Sequence, residues 1–444
     1  MGSSSNFVND VMLYNNLGAG SVYNKPESNA TQWSLMSYLA RINYTLKHKY
    51  LFSVNARVDG SSRFGTNNKY GFFPSASAGW RISEEAFMEP VKEVISNLKL
   101  RASYGFTGNT EIGVYESLAT LGTSNWILGN QLVSGFFPNK IPNPDLKWER
   151  TGQFDIGLDL GLFNNRLRIT TDYYKKKTTD LLYSVAVPAT SGYQTMLKNI
   201  GSIENQGYEL SIESDNLTGA FSWTTAFNIA FNRNKVLELG GEEYKEMAEG
   251  DGHLKTGSVR RLIVGEPIGV FYGYRFDGIF QNEEECKQQT SSASPIGVGL
   301  RRYKDLNGDG KVDAANDREI LGDANPKFFG GLTNTFAYKG FELNVFLQYS
   351  YGNKILNYNA MELENPTGGQ NAYADMVNRW TPENPSNIYP KATTNRALLV
   401  SDRFIEDGSY LKLKTLSLSY SFPKINLKHI QGLRLYVTGQ NLLT

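Results

Sequence analysis

Apolar and polar residues alternate with a period of two through most of the chain. Around 34–46, Tyr38, Ala40, Ile42, Tyr44 and Leu46 point one way, and Arg41, Asn43 and Thr45 point the other. That is the spacing of a β-strand with unlike faces. Lys47-His48-Lys49 predicts a tight turn, after which Tyr50, Phe52, Val54, Ala56 and Val58 alternate with Ser53, Asn55 and Arg57. The two runs predict a hairpin with one greasy and one polar face. The same alternation returns at 75–82, 98–104, 153–160 and 166–173. Later strands are centred on 208–212, 221–231, 332–338, 341–349, 416–422 and 433–437.

Alternation alone suits a soluble sandwich as well as a membrane barrel. Two further features separate them. The strands run to about 10 or more residues, long for globular sheets and suited to crossing a bilayer at a tilt. The connections also alternate in length. Short ones fall at 47–49, 163–165, 214–220, 339–340 and 423–431, with 82–97 somewhat longer. Long ones fall at 60–69, 106–147, 177–206, 233–328 and 352–408. Short periplasmic turns and long extracellular loops mark a transmembrane antiparallel β-barrel, so the fold class is all-β.

Parity tests the scheme. Residues 269–277, with Tyr272 and Tyr274, also read as a strand. Counting them as a membrane strand would put the next short turn on the wrong side. Residues 233–328 are therefore expected to form one large extracellular loop with small strands of its own. About 12 membrane strands remain, of the roughly 22 in a large plugged transporter. With one closing strand beyond the last residue, about nine would precede residue 34 in such a barrel. That odd number places residue 34 after an external loop, as the scheme requires.

Composition sharpens this reading. The net charge of +1 gives no support to a nucleic-acid partner, which favours a basic field. The mean hydropathy of −0.40 looks soluble, and no run of about 18 apolar residues predicts a transmembrane helix. Barrel strands escape that test because only every second residue meets lipid. The 26 Tyr, 24 Phe and 6 Trp suit aromatic girdles at two membrane interfaces. Cys286 is the single cysteine, so no disulfide forms within the chain. The start, Met1-Gly2-Ser3-Ser4-Ser5, has neither the basic nor the apolar region of a signal peptide. A secreted barrel needs one, so residues 1–444 are expected to be part of a barrel domain. The hairpins share no fixed sequence period, which argues against a solenoid.

Seven segments go beyond a generic barrel. They are 57–65 (RVDGSSRFG), 69–83 (KYGFFPSASAGWRIS), 98–109 (LKLRASYGFTGN) and 143–149 (NPDLKWE), followed by 205–210 (NQGYEL), 265–280 (GEPIGVFYGYRFDGIF) and 303–313 (YKDLNGDGKVD). In this order they closely resemble the SusC/RagA branch of TonB-dependent transporters. The resemblance implies TonB-dependent import of an oligomeric nutrient, a glycan fragment or peptide. It implies location in the outer membrane of a Gram-negative bacterium, crossed many times and in contact with its lipids. It further implies a plug and a TonB box reaching the TonB–ExbB–ExbD complex, neither expected within this chain, and a SusD-like lipoprotein lid. The barrel's closing strand is expected after residues 441–444. An open edge is costly in lipid, where each unpaired backbone group costs several kcal/mol. The rival readings are a passive porin or adhesin-type barrel and a secreted soluble polysaccharide-binding β protein.

Candidate chemistry is sparse. Asp305, Asn307, Asp309 and Asp313 fall at positions 1, 3, 5 and 9 of a Ca²⁺ loop, with Gly310 at its turn and Lys311 offering a carbonyl. Asn316 replaces the usual glutamate, so Asp317 or Glu319 would substitute through a longer loop. A structural Ca²⁺ is the expectation, against a metal-free Asp/Asn/Gly turn. His48, His253 and His429 are scattered over turns and a loop. No nucleophile elbow, P-loop or zinc-helix signature is present. Neither an enzyme nor an organic cofactor is expected. Arg41, Arg57, Arg81, Arg101, Arg166 and Arg168 are expected on the water or plug side, since facing lipid would cost about 2–4 kcal/mol each. Trp126, Phe136, Phe137, Tyr358 and Tyr373 are loop aromatics able to stack on sugar rings, or to pack within the loops or against the lid.

Overall fold

The wall of the molecule is one antiparallel sheet in which each of twelve strands bonds to its neighbours in chain order. The strands are β1 (Leu35–Leu46), β2 (Tyr50–Ser61), β3 (Tyr70–Arg81), β4 (Ile95–Asn109), β5 (Glu149–Leu162) and β6 (Leu167–Thr179). They continue with β7 (Ser202–Leu217), β8 (Phe221–Glu238), β9 (Phe328–Tyr338), β10 (Phe341–Tyr351), β11 (Tyr410–Ser421) and β12 (Arg434–Leu443). This computed structural model describes residues 3–7, 21–23, 30–247, 258–364, 371–394, 399–422 and 432–443. Among them β1 and β12 are not paired with each other, so the sheet is open. The expected turn at 423–431 and the residues His253 and His429 lie outside the described residues.

Register turns the alternation into a surface. Ile42 lies opposite Val54, and Tyr44 opposite Phe52. Phe52 faces Ala78, and Ala78 faces Ala102. The row continues through Ile156, Tyr173, Tyr208 and Phe231. Ile42 is 70% exposed and Val54 55% exposed. A continuous apolar face of this extent would be unstable in water and is favoured against hydrocarbon. Among the described residues no helix is long and apolar enough to cross a membrane.

Aromatic pairs bracket the apolar face. At the short-turn end, Tyr50 stacks on Trp80, Trp223 on Phe336, and Phe341 meets Tyr420 with ring centres 4.4 Å apart. At the opposite end Phe328 lies between Phe231 and Tyr351. Two such belts are what amphipathic rings form at the two interfaces of a bilayer.

The short turns need unusual backbone. Lys47 and His48 have φ of 51° and 56°, and the Lys49 N–H donates to the Leu46 carbonyl at 3.0 Å. Paired left-handed residues match the right-handed twist of the flanking strands. The longer connection after β3 holds two 3-10 turns, Ile82–Glu84 and Ala86–Val91. Between them the Glu85 carboxylate accepts from Tyr50 Oη at 2.6 Å, Lys49 Nζ at 3.0 Å and Trp80 Nε1 at 3.0 Å. Those bonds hold the Glu85 carboxyl at about 2, against an ordinary 4.5. A lowered carboxyl stabilises the fold above its unfolded value and loses that contribution as pH falls through the folded one. The turn should therefore weaken between about 4.5 and about 2. Glu85→Gln should flatten that acid step in heat-modifiable gel mobility, and a step identical to wild type would acquit Glu85.

The strands differ from the sequence pattern mainly in length. The pattern marks 208–212 and 221–231, whereas β7 spans 16 residues and β8 spans 18. Beyond the aromatic belt no lipid enforces alternation, yet backbone pairing continues. The long connections fold as well. A hairpin joins Leu121–Leu128 to Gln131–Pro138, and another joins Leu182–Ala186 to Thr195–Asn199. Between β8 and β9 stands a four-stranded sheet of Tyr244–Met247, Arg260–Ile263, Val270–Tyr274 and Arg318–Gly322. Tyr272 and Tyr274 thus belong to this small sheet and not to the wall. The three buried apolar clusters all lie at the long-connection end. Among the described residues the wall is one layer and gives these clusters only one buried residue, Phe73, at the end of β3.

Candidate functional site

Three arrangements shape the long-connection end and the polar face below it. The first is a clasp. Phe64, Phe73, Leu146 and Trp148 form a buried cluster, with Trp148 Nε1 donating to the Lys69 carbonyl at 3.1 Å. The Gly65 N–H donates to Leu146 O, and Asn67 N–H to Pro144 O. A Cβ on Gly65 would sit 2.0 Å from the Pro144 oxygen, so only glycine allows the two segments to approach. Arg63 donates to the carbonyls of Thr110 and Ile112 and lies over the Trp33 ring. The segments 57–65, 69–83 and 143–149 thus build one structural joint.

The second arrangement ties two long connections into a cap. Val259 and Phe271, from the β8–β9 connection, pack with Met361, Val400 and Phe404 from the β10–β11 connection. Glu364 accepts two hydrogen bonds from Arg403, each 2.9 Å, and lies 3.5 Å from Arg301. All three are largely buried. Burial pushes the Arg301 guanidinium below its ordinary value, with Glu364 opposing that shift. Asp402 accepts from the Phe276 N–H at 2.8 Å and pairs with Arg275 at 3.2 Å. Arg275 also pairs with Glu319.

The third is the polar face of the wall. Arg101 on β4 forms a two-pronged bond to Asp159 at 2.9 and 3.0 Å and reaches Asp172 on β6 at 3.0 Å. It crosses β5 above Gly157, where a Cβ would fall 2.1 Å from the Asp172 oxygen. Arg168 pairs with Glu213 and Asp215, and Arg57 with Asp59. Arg166 donates to the carbonyls of Asp215 and Asn216, Arg81 to His48 O, and Arg41 to Asn43 Oδ1. These arginines bond to the wall itself. Half-exposed pairs of this kind contribute about 0–1 kcal/mol each, and their larger effect is to keep the polar face near neutrality.

The loop aromatics do not converge. Trp126, Phe136 and Phe137 share the hairpin of Leu121–Leu128 and Gln131–Pro138, where Trp126 lies opposite Val133 and Phe136 opposite Thr123. Alternation puts Trp126 and Phe137 on one of its faces and Phe136, 74% exposed, on the other. Tyr358 packs against the cluster of Met361 and Phe404. Tyr373 is partly exposed and precedes the 3-10 turn Ala374–Asn378.

The acidic turn is closed on its own backbone. Asp305 accepts from the N–H groups of Gly308 and Gly310, both at 2.7 Å. Asn307 accepts from Asp309 N–H, and Asp309 from Lys311 N–H. Asp313 accepts from Ala315 and Asn316 N–H and from Lys311 Nζ at 3.1 Å. Asp317, fully buried, accepts from Leu306 N–H at 2.8 Å and Asp313 N–H at 2.7 Å. Among the described residues no three acidic, His or Cys groups converge as a cation cage.

Residues 2–442 match the family described as TonB dependent receptor-like, beta-barrel. The chain belongs to that family. TonB-dependent receptor P3 of Formosa agariphila is 41% identical over 99% of the chain and 44% of its own length. TonB-dependent receptor SusC of Bacteroides thetaiotaomicron is 32% identical over 93% of the chain and 40% of its own length. Among solved structures, the RagAB peptide transporter superposes with a TM-score of 0.81 at 27% identity, covering 98% of this chain and 46% of that one. The chain thus spans about half the length of the curated relatives it matches.

Within this receptor barrel, the ion cluster of Arg301, Glu364 and Arg403 escaped sequence reading. Glu364 and Arg301 are 63 positions apart, and nothing local marks either as a partner. The clasp was visible as motifs but not as a joint. Glycines 65 and 157 stand where a side chain would collide with a neighbouring segment, a requirement visible only in the fold.

Proposed function

We propose that this receptor barrel chain forms the wall and external cap of an outer-membrane importer for an oligomeric nutrient, a glycan fragment or a peptide. Import is driven through TonB–ExbB–ExbD and gated by a SusD-like lipoprotein lid. The observation that carries this reading is the pairing of a twelve-stranded apolar-faced wall with a folded cap at its long-connection end. On this reading the cap end is extracellular and the short-turn end periplasmic. A cap with its own buried core suits a surface that holds a lid and selects a large solute. Similarity to a peptide transporter supports the peptide class. The aromatic hairpin of Trp126 and Phe136 is the surface offered to the solute or lid.

The test uses the full-length receptor in cells. Uptake of labelled oligopeptides and oligosaccharides is measured with and without TonB. Saturable uptake that disappears without TonB is expected. Uptake that persists and never saturates would establish the passive-pore alternative. Recovery of the protein without detergent would establish the soluble one.

We further propose that Ca²⁺ can draw Asp305, Asn307 and Asp309 off their present backbone partners into a ligand set with the Lys311 carbonyl, Asp313 and Asp317. Added Ca²⁺ should then raise the unfolding temperature of the cap, and Asp305→Asn should abolish the rise. Identical melting in Ca²⁺ and in chelator would leave the turn held by hydrogen bonds alone.

A further inference from the structure

The outward face of the wall changes character at the cap end of β4, β5 and β6. The row Ala102–Ile156–Tyr173 is uncharged. One step towards the cap, Tyr104 lies opposite Phe154 and Phe154 opposite Lys175. The next step brings Phe106, Gly152 and Lys177 into line, and the last brings Arg150 opposite Thr179. These side chains line a cleft of about 310 Å³. The Arg150 guanidinium lies 3.7 Å above the Phe106 ring. Lys175 is paired with Glu204 at 3.1 Å. Among the described residues no carboxylate pairs with Arg150 or Lys177. On the face that otherwise meets hydrocarbon, a ring-floored recess thus gathers three cations around one carboxylate.

Position explains how this is tolerated. A cation on the lipid face is costly at mid-bilayer and nearly free at the interface. The recess lies at the cap end of β4, β5 and β6, beside the Tyr104–Phe106 ring pair, the end at which outer-leaflet head groups would sit. A guanidinium and two ammonium groups match phosphate oxygens through charge-assisted hydrogen bonds. The rings beneath them suit the apolar part of the same molecule. A merely solvated rim would need neither the recess nor the rings.

We propose that this cleft binds the phosphate of an anionic lipid in the outer leaflet. The inference rests on the cap end being extracellular, but not on what the receptor imports. An uptake assay that fails leaves it standing.

The experiment uses the full-length receptor in detergent micelles, with native mass spectrometry reading bound lipid. The probes are lipid A carrying its phosphates, the same lipid after phosphate removal, and inorganic phosphate. The phosphorylated lipid is expected to bind at least about tenfold more tightly than the dephosphorylated one, because interfacial cations attract anionic lipid. The combined variant Arg150→Gln, Lys175→Gln and Lys177→Gln should lose that preference. Equal binding of the two lipids, or a variant that keeps the preference, overturns the proposal. Inorganic phosphate competing as strongly as the lipid overturns it too, by assigning the cleft to a free anion. Heat-modifiable mobility reports whether the variant is folded. If it is not, the two lipids on wild type decide alone.

Discussion

Glu364→Ala is expected to loosen the cap by about 3–5 kcal/mol, the scale for removing one partner of a buried ion pair. The wall should stay intact. Glu364 is the carboxylate that Arg403 grips with two bonds at 2.9 Å while Arg301 approaches at 3.5 Å. Removing it leaves two buried guanidiniums facing each other without that charge. Glu364→Gln keeps the shape and loses the charge, and should fall between the variant and wild type. Limited proteolysis reads the result: new cuts should appear in both connections that form the cap, with heat-modifiable mobility unchanged. Cuts in only one connection would mean that the pair does not couple them.

Trp148→Ala should be of similar size, about 3–5 kcal/mol, the usual cost of deleting a large buried aromatic. Trp148 packs on Phe64 with ring centres 4.8 Å apart and on Phe73 at 5.4 Å. Its indole N–H also bonds the Lys69 carbonyl. Trp148→Phe should cost less, restoring the packing but not the hydrogen bond, which contributes about 1 kcal/mol. Gly65→Ala tests the same joint from its other side, since the new methyl group meets backbone and not a movable side chain. Denaturant unfolding followed by Trp fluorescence should show Gly65→Ala losing the clasp around Trp148 first, and limited proteolysis of the two clasp segments should show the same for Trp148→Ala. A loss confined to global wall melting would show that the joint and the wall unfold as one unit.

The wall was legible because lipid imposes a rule on every second residue. Tyr38, Ala40, Ile42 and Tyr44 obey it so plainly that strand, face and register with Val58, Ala56, Val54 and Phe52 follow. Legibility fades past the aromatic belts. Residues 232–238 extend β8 with Asn, Arg and Lys, and only pairing with β7 reveals them as strand. The short helices Glu283–Gln288 and Tyr358–Leu363 carry no helical repeat long enough to read. Family signatures were recognisable as text. Their mechanical meaning, Gly65 seated against Pro144, needed the third dimension. The cationic recess left a faint mark in Lys175 and Lys177, which fall where the greasy face should continue. Arg150, their companion, enters it from another strand.

The long insertion between β8 and β9 bears on how the chain reaches this state. Most neighbouring strands close through local connections, whereas Trp223 and Asn334, bonded at 2.9 Å, are 111 residues apart. Loop-closure entropy grows only as the logarithm of length, but non-local pairing slows the search for the native state. A cap that folds early brings its two ends together and turns that distant encounter into a local one. Substitutions that unsettle the cap should therefore reduce the yield of assembled wall even where the finished wall tolerates them. The cap would then act during assembly as an internal template.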